Sequence, residues 1–216
     1  MRASSYVGGA LAATLLLGTA CDDSPSGPGP LVNGVRFQYS GARSGAFEAR
    51  GTPTLQDDGS VNFGEWTAAQ LDSLGGIVIA SFRAGQSPEG DLFILQLGPA
   101  VVREWDELCG EGTQQNGDRC SGRLLIGLDA GTFSPNEYYE AISGSATITE
   151  LTSTRVRGTF ELVTRSNGGQ GTQTITLSGG AFDAPILGGA TGNAVACVIK
   201  RATSGETDPC SEGWDP

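Results

Sequence analysis

Five acids crowd around one tryptophan in the middle of the chain. Glu104, Asp106, Glu107, Glu111 and Asp118 lie near Trp105. Two carboxylates at a fixed separation can run glycoside hydrolysis, and an indole can stack on a sugar. The same acids could instead hold calcium, as could Asp57-Asp58, but no EF-hand spacing is present. The competing reading is a solvated acidic loop with Trp105 packed beneath it. Other chemistry is easier to exclude. The chain has no histidine, which removes Ser-His-Asp and Cys-His nucleophile systems and the common zinc ligand sets. Gly168-Gly169 and Gly188-Gly189 read as turns rather than phosphate cradles. Trp66, Trp105, Tyr138, Tyr139 and Trp214 could form a ligand platform, yet scattered aromatics in a β domain are more often packing. The residues therefore assign no catalytic group, no metal ligand and no cofactor.

The first thirty residues carry a different signal. Arg2 is the one charge in the first twenty, and Val7 to Leu17 is an apolar core. Gly18-Thr19-Ala20 then supplies small residues just before Cys21. A positive start, a short apolar core and a small-residue end make a secretory signal peptide over residues 1–20. A retained spanning helix would need about 20 apolar residues, and this run is diluted by Ser4, Ser5, Gly8, Gly9 and Gly18. Asp22 to Pro30 has three prolines among Ser, Gly and Asp and no apolar residue, so it reads as a flexible tether. Nine residues span at most ~30 Å.

Ala20-Cys21 after Leu15-Leu16-Leu17 resembles the lipobox of bacterial lipoproteins. Gly18 stands where that motif usually has Leu, which here comes one place earlier at Leu17. The resemblance implies that the Cys21 thiol receives a diacylglyceryl group, that residues 1–20 are removed, and that the new amine is acylated. It implies a membrane partner through the anchor at Cys21 and a location in the cell envelope. Several acyl chains make a stable anchor where one chain binds only marginally. An ordinary secreted protein cut after Ala20 is the alternative.

Cysteine parity fits the anchored reading. The chain has five cysteines: Cys21, Cys109, Cys120, Cys197 and Cys210. With Cys21 consumed as a thioether, four remain to pair in an oxidising compartment. Of the three connectivities, Cys109–Cys120 and Cys197–Cys210 are expected, because each pair brackets a polar, turn-rich stretch that burial cannot hold.

Charge narrows the partners. Removing Arg2 from 13 basic residues leaves 12 against 24 acids, a net charge of −12. Nucleic acid needs a basic footprint, so it is excluded as a partner. Anionic lipid would also repel this surface, which leaves the acyl chains to hold the protein. A protein or glycan partner is left without an identity.

The elements that must position these residues read as strands. From Leu31 onward 186 residues remain, a common size for one β domain over residues 31–216. Val35 to Tyr39 and Gly45 to Arg50 alternate apolar and polar residues and suggest a hairpin. Thr67-Ala68-Ala69-Gln70 fits a capping box before Leu71 and Leu74, with Gly75 as a stop, which predicts a short helix. Ile77 to Phe82 and Leu92 to Leu97 are apolar on both faces and read as central strands. Val101 to Gly122 reads as a long loop closed by a disulfide. Ala194 to Arg201 is expected to be a last strand carrying Cys197.

The clearest period lies between Ser143 and Phe182. Val156, Gly158, Phe160 and Leu162 share one face, and Arg155, Arg157, Thr159 and Glu161 share the other. Strands before and after it, joined by short turns, make an antiparallel meander. This meander resembles a segment of β-rich exported lipoproteins of environmental bacteria. Gly144 to Thr149, Val156 to Phe160 and Gly180 to Phe182 carry the resemblance, over roughly a quarter of the mature chain. That family implies no activity.

These observations predict an all-β domain of about ten to twelve antiparallel strands, arranged as a sandwich, with a partly open barrel as the alternative. The function they point to is a non-catalytic cell-envelope lipoprotein, a binding or structural module. The alternative is an envelope carbohydrate-active enzyme on the same scaffold. A cleft with two carboxylates beside an exposed Trp would favour the enzyme.

Overall fold

The computed structural model describes residues 30–57, 59, 61–62, 64–85, 89–105, 109, 118–129, 132, 134–166 and 172–204. Ten strands join in one antiparallel sheet. They are β1 (Gly34–Gly41), β2 (Gly45–Arg50), β3 (Trp66–Leu71), β4 (Ile77–Ala84), β5 (Glu89–Gly98), β6 (Arg103–Trp105), β7 (Arg119–Asp129), β8 (Glu137–Leu151), β9 (Arg155–Ser166) and β10 (Thr174–Pro185). A helix follows, α1 (Gly189–Ser204). The strand order is β2-β1-β10-β9-β8-β7-β5-β4-β3, with β6 beside the far half of β8.

The all-β expectation holds, but the sheet forms the alternative, a nearly closed barrel, and not the expected sandwich. One sheet curls until its ends nearly meet, rather than splitting into two. Alternation predicts that one face is buried; it does not say whether that face meets another sheet or itself. Bends come from local features. Register shifts fall between Ala141 and Ser143 and between Ile148 and Glu150 of β8. Gly144 follows the first shift at φ +135°, where an added Cβ would sit 2.2 Å from the Glu161 carbonyl oxygen. A side chain there would block the close approach that lets β8 turn the corner.

The seam between the two ends is parallel and staggered. The Thr67 N–H donates to the Gly51 carbonyl (3.0 Å), and the Leu187 N–H donates to the Ala69 carbonyl (2.8 Å). Thr67 thus lies level with the end of β2, so the rest of β3 runs past it. Arg83 of β4 spans the seam higher up. Its guanidinium meets the Ala46 carbonyl and the Asp91 carboxylate and lies 5.1 Å over the Phe47 ring.

Two predicted elements change type. Thr67 to Gln70 is not a helix; it belongs to β3, paired with β4 from Trp66↔Phe82 to Leu71↔Ile77. A helix there would leave the β4 edge without partners, and pairing outweighs a weak local preference. Thr67 Oγ1 also lies 2.7 Å from Ser81 Oγ in the buried seam. Ala194 to Arg201 is not a strand; it lies inside α1. Gly192, Val195, Ala196, Val198 and Ala202 are its buried residues, a helical spacing. A short apolar run shows no period by itself, and the flanking residues decide it.

The core has two layers. Inside the barrel, Phe37, Phe47, Phe93 and Phe160 pack ring on ring, with Phe93 stacked on Phe160 at 4.8 Å. Outside, α1 lays Val195, Val198 and Ala202 against Trp66, Ala80, Phe82, Leu92, Ile94 and Leu125. Those two coverings explain why β4 and β5 are apolar on both faces.

Candidate functional site

The end of the barrel at which the chain comes in, marked by Gly34, is here termed basal. Register places Arg50, Leu71, Ile77, Gly98, Leu151, Arg155 and Pro185 at that end too. Hydrogen bonds join its loops into a ring. Arg155 donates to Asn33 Oδ1 (2.9 Å), Ile186 N–H to the Thr154 carbonyl (2.9 Å), and Ala100 N–H to the Gly75 carbonyl (2.8 Å). The sequence concentrates its chemistry-bearing residues at this end.

Trp105 lies at the basal end. Its ring is wholly buried, and its indole N–H donates to the Gly98 carbonyl (3.0 Å). The short strand β6 holds it there by pairing Arg103↔Ile148 and Trp105↔Ala146. Arg103 lies 5.0 Å over the indole and grips Asp118 with two hydrogen bonds, of 2.9 and 3.0 Å. A buried ring with a cation on its face offers no platform for a sugar. The Cys109–Cys120 disulfide lies in the same buried cluster as Trp105. The expected long loop is therefore interrupted, since Arg103 to Trp105 and Arg119 to Gly122 are strand.

Asp72 organises the β3–β4 turn. Its Oδ1 accepts the Leu74 and Gly76 N–H groups (2.9 and 2.7 Å), and Gln96 and Arg119 reach the same carboxylate. Burial pushes its pKa up, but the hydrogen bonds from Gly76, Gln96 and Leu74 and the Arg119 charge together hold it below its ordinary 3.8. A carboxyl depressed in the folded state contributes stability above its unfolded pKa, and that contribution is lost as pH falls through the folded value. Asp72→Asn is therefore expected to be less stable than the parent near pH 7 and to flatten the acid limb below about pH 4. Urea midpoints at pH 3 and pH 7 check this; parallel curves for the two proteins would refute it.

Asp183, on β10, is almost wholly buried beneath Arg155 and Arg157 of β9. Arg157 in turn pairs with Glu150 of β8 at 2.6 Å. These links lie on the outer wall and tie the three meander strands together.

The opposite, distal end carries a smaller group. Tyr139 is buried, and its hydroxyl donates to Glu137 Oε2 (2.8 Å), while Arg43 pairs with Oε1 of the same carboxylate. Burial first, then the Glu137 carboxylate, push the Tyr139 pKa from 10.0 up to about 12. A phenol raised in the folded state is stabilising below its unfolded pKa, and the contribution is lost as pH rises towards the folded value. The parent is expected to lose stability between pH 10 and pH 12, and Tyr139→Phe to lose less over that window. Equal losses by thermal melting would count against it.

The predicted site residues divide as follows. Cys109 and Cys120 are bonded as expected. Cys197 is disulfide-bonded, and its expected partner Cys210 lies outside the described residues. Cys21, Asp58, Asp106, Glu107, Glu111 and Trp214 lie outside them too. Glu104 is exposed and Asp118 is held by Arg103. Trp66 is buried against Phe82, and Tyr138 is half-buried. Among the described residues no group of three or more His, Cys, Asp or Glu is placed to hold a metal ion. No helix among them is long and apolar enough to cross a membrane.

Sequence reasoning missed the exposed apolar rim of the basal end. Leu71, Leu74, Val101 and Val102 are 55, 74, 43 and 59 % exposed, and Val32 is 52 % exposed. Leu71 and Leu74 were expected in a short helix. The apolar pair Val101-Val102 just after a strand was the available signal. The function of this end must be argued from its own geometry, because the chain matches no known family, no curated protein and no solved structure.

Proposed function

We propose that this chain is a non-catalytic lipoprotein of the cell envelope, a barrel module held at a membrane by acyl chains on Cys21. The observation that carries the reading is the order of residues before Cys21: an apolar core, then Gly18-Thr19-Ala20, then the cysteine. Disulfide bonding at Cys109, Cys120 and Cys197 supports it, since such bonds persist in oxidising compartments. A binding or structural role is favoured over an enzyme by the packing. Phenylalanines fill the barrel, Trp105 is buried, and Arg103 neutralises Asp118. A glycosidase would need a carboxylate pair beside an open sugar platform.

The test is a partition experiment. The full chain, expressed in a bacterial host, is expected to enter the detergent phase, and Cys21→Ser to move to the aqueous phase or to remain unprocessed. One myristoyl-length chain already binds membranes at roughly 10⁴ M⁻¹, so losing several acyl chains is a large effect. An unchanged detergent partition of Cys21→Ser sinks the proposal.

A further inference from the structure

We propose that the basal rim rests in the interfacial layer of the bilayer that holds the anchor, so that the barrel stands end-on with Tyr139 and Glu137 pointing away. The proposal rests on the lipoprotein reading above and names the surface that the anchored domain touches. Three observations carry it.

The first is position. The described chain starts at Pro30 and enters the barrel at Gly34, on the basal end. Between Cys21 and Gly34 lie twelve residues, a span of at most roughly 45 Å. An anchor at Cys21 is attached through the basal end, so the shortest tether path brings that end nearest the membrane.

The second is shape and polarity. Thr67 is level with Gly51, so the β3–β4 turn projects beyond the end of β2. Leu71 and Leu74 ride on that projection, and the Ala100–Gly75 hydrogen bond sets Val101 and Val102 beside it. Six large hydrophobics among the described residues are exposed: Val32, Leu55, Leu71, Leu74, Val101 and Val102. All but Leu55 are basal. Isolated exposed apolar side chains are ordinary, but a cluster on the anchored end is not.

The third is charge. The protein is strongly acidic, yet three of the described basal acids are clasped: Asp72 by Arg119, Asp118 by Arg103, and Asp183 by Arg155 and Arg157, while Glu65 is exposed. Clasped acids reduce the repulsion that an anionic leaflet would exert on this end. Glu104 on β6 is exposed and must stay in water, which sets how far the end can sink.

The test uses the full chain purified from bacterial envelopes and reconstituted into phosphatidylethanolamine and phosphatidylglycerol vesicles. Mass analysis of the Cys21 peptide reports acylation. Hydrogen exchange is then read over residues 70–77 and 99–104, with residues 132–140 as the distal control. Exchange in the two basal segments is expected to slow about tenfold on vesicles, with the control unchanged. The double variant Leu74→Glu with Val102→Glu should stay folded and acylated but lose that protection. An acylated protein whose basal exchange is the same on vesicles as in solution overturns the docking and leaves the anchor standing. Equal protection without vesicles, in a protein that runs as a dimer, also overturns it and makes the rim a contact between copies. An unmodified Cys21 overturns the anchor reading instead. In that case the chain coupled through Cys21 to a maleimide lipid tests the rim alone: slowed basal exchange sustains the docking, and unchanged exchange removes it.

Discussion

Phe160→Ala is expected to lower the unfolding free energy by about 3–5 kcal/mol. The ring is 2 % exposed at the centre of the barrel. It stacks on Phe93 at 4.8 Å and meets Phe37 edge-on at 5.6 Å. Phe37 in turn stacks on Phe47 at 4.9 Å, so one truncation opens a space that four strands line. Gly180 lies opposite Phe160 in the β10–β9 register, and the ring covers it. Removing the ring would expose that backbone as well as leave a cavity. A cycle with Phe93→Leu should show coupling of about 0.5–1.5 kcal/mol, since stacked rings interact beyond their buried area. Denaturant midpoints measure both. A loss below about 1 kcal/mol for Phe160→Ala would mean that the inner face of β9 has been assigned backwards.

Trp105→Ala is expected to cost a similar ~3–5 kcal/mol, by a different route. Phe160 is surrounded by other rings, whereas Trp105 is buried at the basal end beside Gly98. Its loss removes buried area, frees the Gly98 carbonyl and takes away the face on which Arg103 lies. β6 is three residues long and pairs with β8 alone, so it has little else to hold it. Trp105→Phe separates the contributions. It keeps most of the apolar volume and leaves the Gly98 carbonyl without a donor, at about 1–3 kcal/mol. The disulfide in the same buried cluster should become easier to reduce in the Ala variant than in the Phe variant, as thiol labelling under mild reductant can show. Equal labelling of the two would separate the indole from the disulfide.

The meander was legible because its periodicity is long. β9 alternates over 12 residues, with Val156, Gly158, Phe160 and Leu162 inward, and no helix can reproduce that spacing. The seam was not legible. Thr67-Ala68-Ala69-Gln70 carries a helix-start pattern, and only the edge of β4 makes it a strand. α1 was hidden for the opposite reason: Ala194 to Ile199 is mostly apolar, so its own residues carry no phase. The acids around Trp105 were visible, but the arginine that neutralises Asp118 was not. Arg103 lies on β6 and Asp118 just before β7, and nothing local says that they meet. The basal rim was lost with the same error that made β3 a helix. Once Leu71 and Leu74 are placed on a strand end and its turn, their side chains face solvent rather than a core.

The sheet order has a consequence in time. β1 pairs with β10, so Gly34 waits for Asp183. A chain made from its N-terminus presents the β1–β2 hairpin first and completes its partner nearly last. Until then one edge of β1 stands open, with Val35, Phe37 and Phe47 uncovered. An isolated hairpin is marginal in water, and an open apolar edge recruits other chains. The neighbouring strands β3, β4 and β5 can assemble early, since each pairs with the next one in sequence. The sheet therefore grows from its β3 end until β10 reaches β1, and the interval before β10 arrives is when the chain is most open to pairing with the wrong partner.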